Sequence, residues 1–92
     1  MIRSFKHKGL KQFYHHGDAR RLPPDKIGRI QELLTMLDGA QTMASMARPA
    51  FRLHSLKGAL KGYWAVTVRA NWRITFRFED GQVYDVNLLD YH

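Results

Sequence analysis

Residues 72–83 run Trp72-Arg73-Ile74-Thr75-Phe76-Arg77-Phe78-Glu79-Asp80-Gly81-Gln82-Val83, and this stretch decides the fold. Trp72, Ile74, Phe76 and Phe78 fall on one side of an extended chain and Arg73, Thr75 and Arg77 on the other, the two-residue period of a strand with one buried face. Asp80-Gly81 is a turn signal, and Val83 to Leu89 beyond it returns to aromatic and β-branched residues. Gly62 to Val68 reads as an earlier strand ending at the Ala70-Asn71 turn, and Phe51 to His54 as a first one ending at Lys57-Gly58. Four antiparallel strands follow, one sheet face apolar and the opposite face basic.

Upstream the period changes to that of helices. Leu10, Phe13 and Tyr14 before Gly17 predict a short amphipathic helix with a glycine cap. Pro23 and Pro24 open a second, with Asp25 in its first turn, Ile27, Ile30, Leu33, Leu34 and Leu37 on one face, and Gly39 at its end. Met1 to Phe5 alternates like a short strand, and Ala40 to Ala50 is either a loop or one more helical turn. The expected fold is α+β, two or three N-terminal helices packed on a twisted antiparallel sheet, in a single domain over residues 1–92.

Composition narrows the function. The 92 residues are 45% hydrophobic and 25% charged, an ordinary globular mix without repeats. Cysteine is absent, which excludes a disulfide framework, a thiolate metal site and a cysteine nucleophile. No stretch approaches about 18 consecutive apolar residues, so the expectation is a soluble, cytoplasmic chain with no membrane partner. Fifteen Lys and Arg against eight Asp and Glu give +7. The acids are unevenly placed: none falls between Asp38 and Glu79, a window holding Arg48, Arg52, Lys57, Lys61, Arg69, Arg73 and Arg77. Such a field attracts polyanions, with nucleic acid first among them, although a basic surface also serves solubility alone.

The hairpin at Glu79–Gln82 carries the chemistry. If Phe78 pairs with Val83, Leu88 lies beside Arg73, and Asp90-Tyr91-His92 is delivered next to the Arg69–Asn71 turn. A carboxylate, a phenol, an imidazole and two guanidiniums would converge there. Those are the parts for cutting RNA without a metal or other cofactor: Arg69 and Arg73 to hold the phosphate, His92 to give a proton to the leaving oxygen, Asp90 to orient or accept. The competing reading is a frayed tail. His54 and Lys57 form a second polar cluster, but a plain meander keeps them about 15–20 Å from Tyr91. His15 and His16 are adjacent, a poor chelating pair on a helix. The acids show no paired motif for a divalent metal. Trp64 and Trp72 alternate with the strand and read as core.

The opening Met1-Ile2-Arg3-Ser4-Phe5, the central Leu53-His54-Ser55-Leu56-Lys57-Gly58, the Trp72-Arg73-Ile74 strand and the closing Asp90-Tyr91-His92 together resemble the HigB branch of the RelE/ParE superfamily, toxins of bacterial type II toxin–antitoxin pairs. The resemblance implies a RelE-like fold and a ribosome-dependent endoribonuclease that cuts messenger RNA in the A site of the small ribosomal subunit. It implies a HigA-type helix-turn-helix antitoxin, through which alone the toxin would meet operator DNA. The family's catalytic positions fall on His54, Asp90, Tyr91 and His92, and its phosphate-binding positions on Lys57 and Arg73. It further implies that the His54 loop reaches the site, against the meander estimate. Ser55 and Ala59 depart from the Pro and the acidic residue the family often has. The alternatives are a non-enzymatic toxin resembling the gyrase-poisoning ParE branch, and a plain RNA-binding module.

Overall fold

The computed structural model describes residues 1–91. Helix α1 spans Lys8–His16, with the His7 Nδ1 accepting the Leu10 N–H at its start and Gly17 in the left-handed conformation at its end. After a 3-10 turn at Pro24–Lys26, α2 runs Ile27–Gly39 and buries Ile30, Leu33, Leu34 and Leu37. The stretch left open between loop and helix resolves into 3-10 turns at Met43–Met46 and Pro49–Phe51. Strands β1 (His54–Ser55), β2 (Trp64–Arg69), β3 (Trp72–Glu79) and β4 (Gln82–Asp90) form an antiparallel sheet in chain order.

Fully buried Leu10, Ile30, Leu33 and Leu37 meet Val66, Ile74, Phe76 and Val86, so the helices cover one sheet face. Trp64 and Trp72 are half-buried against this core, as their alternation predicts. The N-terminal residues lie along the outer edge of β4, with parallel bridges Ile2 to Val83 and Phe5 to Val86. Hydrogen bonds from Val83 N–H to Met1 O and Val86 N–H to Ser4 O close that edge.

Three expectations need correction. The first strand is not Phe51–His54: Pro49 locks the chain into a turn through the buried Phe51, and only His54 and Ser55 pair, with Ala65 and Trp64. Leu88 lies beside Ile74, not Arg73. Phe78 does pair with Val83, but Asp85 forms a bulge at φ 56° that shifts the later register by one, setting Leu89 beside Arg73. The extra residue turns Val86 and Leu88, with Val83, into the core. Finally, the face away from the helices is not uniformly basic. Ala65 and Thr75 there are 0% and 2% exposed, and Arg77 is neutralised by acids.

Candidate functional site

The end of β4 is tied to the β2–β3 turn. Asp90 pairs with Trp72, and the Tyr91 N–H donates to Asn71 O at 2.8 Å. The frayed-tail reading therefore fails as far as Tyr91, which is half-buried. His92, the expected proton donor, lies outside the described residues. By strand alternation Tyr91, Leu89 and Arg73 share the sheet face away from the helices.

Arg73 curls back onto the turn. One terminal nitrogen donates to Ala70 O at 2.5 Å and Trp72 O at 3.2 Å, while Nε is buried without a hydrogen-bond partner among the described residues. A buried guanidinium N–H left unpaired is unfavourable until an acceptor arrives, and an anionic oxygen is the strongest acceptor it can meet. Arg69 is exposed beside the same turn, opposite Trp72. Ala70 holds φ 51°, a left-handed conformation uncommon for alanine.

His54 shares the Arg73 face through its pairing with Ala65, which pairs with Thr75 and so with Asn87. From that row to Asp90 is three strand spacings across and three residues along, about 17 Å between backbones in a flat sheet. His54 and Tyr91 thus lie on the same face, at opposite edges of the sheet. The exposed His54 ring places Nδ1 2.8 Å from Arg52 O. A carbonyl offers no proton, so Nδ1–H is the donor and Nε2 is the ring nitrogen left for other chemistry. Lys57 is exposed and precedes the Gly58–Leu60 turn, displaced from His54 toward the Glu79–Gln82 hairpin and away from Tyr91.

One contributor went unread in the sequence: the Asn71 carbonyl is a backbone group that no side-chain pattern reports. On the helix-covered side of the same turn, Lys26 Nζ sits 5.8 Å from the Trp72 ring centre and pairs with Asp25 at 2.9 Å. That pairing, helped by Arg69 nearby, holds the Asp25 carboxyl below its usual range. His15 and His16 are exposed on α1, His15 edge-on to Tyr14.

The site thus sits on a small antiparallel meander under two helices, with a basic turn holding the end of its last strand. Solved structures share the fold: YafQ from E. coli (TM-score 0.65, 17% identity, 96% of this chain and 89% of that one) and the YoeB–YefM toxin–antitoxin complex from Staphylococcus aureus (TM-score 0.64, 17% identity, 100% and 95%). The family model for the RelE-like toxin of type II toxin–antitoxin system HigB matches residues 3–92. Endoribonuclease HigB of Proteus vulgaris is 47% identical over 92 residues, all of both chains, and Toxin HigB-1 of Vibrio cholerae 35% over 83 residues, 88% of this chain and 87% of that one. The chain belongs to the HigB family of RelE-like toxins.

Proposed function

We propose that this toxin is an endoribonuclease, like its Proteus relative, and that it cuts translated messenger RNA in the ribosomal A site. The observation that carries the reading is the 47% identity to an endoribonuclease over the whole chain. The open face bearing His54, Arg73 and Tyr91 supports it. The reaction is attack of a 2′-hydroxyl oxygen on the adjacent phosphorus: the new P–O bond forms, the bond to the 5′-oxygen breaks, and a 2′,3′-cyclic end and a 5′-hydroxyl result. The hydroxyl proton passes to His54 Nε2 or Asp90, His92 protonates the leaving 5′-oxygen, and Tyr91 stacks on a base. Arg73, with Arg69, holds the reacting phosphate and its developing charge, and Lys57 holds the RNA backbone farther from that end. The ribosome supplies the alignment that so open a site lacks.

In this reading the toxin acts in the cytoplasm, is neutralised by a HigA-type antitoxin, and meets operator DNA only through it. No described helix is long and apolar enough to cross a membrane. The test is induction of the wild-type chain and of His92→Ala in growing bacteria, with messenger RNA 5′ ends mapped against reading frame. Frame-locked cuts lost in the variant are expected. Growth arrest with intact messages would overturn the reading in favour of a gyrase-directed, non-enzymatic toxin.

A further inference from the structure

Arg29, near the start of α2, joins two stretches of backbone that lie beyond the reach of β1, whose pairing with β2 stops at Ala65. Its Nε donates to Val68 O at 3.3 Å, and one terminal nitrogen donates to Thr67 O at 3.1 Å and Ala50 O at 2.6 Å. The other terminal nitrogen meets Glu32 at 2.7 Å, and the guanidinium lies 5.7 Å from the ring centre of buried Phe51. The side chain is 25% exposed: its bonds to Val68 O and Thr67 O are partly buried, and those to Ala50 O and Glu32 face solvent.

Each stretch leads into the site. From Ala50 and Phe51 the chain passes through Arg52 to His54, and Arg52 O is the acceptor of the His54 Nδ1–H. Arg52 holds φ 51°, a conformation that a non-glycine residue keeps only where its surroundings impose it. From Thr67 and Val68, where the β2–β3 register slips, the chain passes to Arg69 and to Asn71, whose carbonyl holds Tyr91. One guanidinium therefore spans the two halves of a site whose backbones the sheet keeps apart. A planar fork can serve three carbonyls and a carboxylate at once, and a lysine ammonium in the same place cannot.

We propose that Arg29 is a positioning residue, setting the spacing between His54 and the Arg69–Tyr91 end of the site. This rests on the nuclease reading above. The experiment is single-turnover cleavage of messenger RNA on programmed ribosomes with toxin in excess, comparing wild type with Arg29→Lys across toxin concentrations. A mispositioned site lowers the limiting rate, whereas a merely less folded chain shifts only the half-saturating concentration. The expected result is a limiting rate about tenfold to hundredfold lower, with half-saturation within about twofold. An unchanged limiting rate overturns the inference. Should Arg29→Lys not fold, Glu32→Ala, which frees one arm of the fork from the exposed side of α2, is measured instead. A roughly threefold lower limiting rate is expected there, and an unchanged one overturns the inference. Wild-type toxin that leaves the message intact sinks the nuclease reading, and the inference with it, before any variant is compared.

Discussion

At one end of β3, Arg77 meets two carboxylates; at the other, Arg73 meets two carbonyls. Arg77 Nε donates to Asp85 at 2.8 Å and a terminal nitrogen bonds Glu79, while Asp85 also accepts from Tyr63 at 3.2 Å and bonds Ser4 at 3.3 Å. Arg73 spends its bonds on Ala70 O and Trp72 O and keeps a buried Nε unpaired. The two arginines share a strand and a face and count equally in the net charge. The Arg77 charge is consumed in holding a bulge together, whereas the Arg73 guanidinium meets only carbonyls, as the phosphate-holding role proposed for it requires. The binding address is the basic charge that the fold leaves uncompensated, not the basic charge in sum.

The sharpest way to break this comparison is to truncate each arginine. Arg73→Ala should lower single-turnover cleavage about hundredfold to thousandfold, the loss expected when a donor to developing phosphate charge is removed. Arg77→Ala should change the cleavage rate little while lowering the thermal midpoint, because Asp85 and Glu79 lose their partner. Equal losses of activity would erase the distinction.

Acid titration sharpens it further. The Arg77 hydrogen bond, with help from Tyr63 and Ser4 and against partial burial, holds the Asp85 carboxyl below its ordinary range. A folded value below the unfolded one gives stability that is present above the unfolded value of 3.8 and lost as pH falls through the folded value. The thermal midpoint of the wild type should therefore fall as pH drops below that unfolded value, and Asp85→Asn should lower it at neutral pH and flatten that fall. An unchanged slope in the variant would remove Asp85 from the account.

The smallest effect compares the turns at the two ends. Ala70 and Asp80 both sit near φ +50°, but aspartate tolerates the left-handed region and alanine does not. Ala70→Gly should stabilise the protein by about 0.5–1 kcal/mol and Asp80→Gly by less, measured by urea unfolding.

Much of the fold was legible because its signals are local. Alternation along Trp72–Phe78, the Asp80-Gly81 turn, and the leucine face of α2 each follow from neighbours a few residues apart. What failed was set at a distance. The bulge at Asp85 is stabilised by Ser4 and Tyr63, far along the chain, and by Arg77 across the hairpin, and nothing in Tyr84-Asp85-Val86 announces it. The short β1 comes from Pro49 and the burial of Phe51, which override a run that looks extended. In the candidate site, Arg73 and the tie of Asp90-Tyr91 to the β2–β3 turn could be read from the hairpin, with the register one residue out. The roles of Arg29 and the Asn71 carbonyl could not, because both act on backbone atoms that carry no sequence signature.

The seam between the N-terminal residues and β4 bears on when the site comes into being. Ser4 and Asp85 are 81 positions apart, and their contacts close a loop of nearly the whole chain. Loop-closure entropy opposes such contacts until shorter-range structure has brought the ends near, so this seam forms late in folding. The strand it locks is the one that carries Asp90 and Tyr91. A chain in which this seam has not closed therefore lacks the brace along the strand that leads to Tyr91.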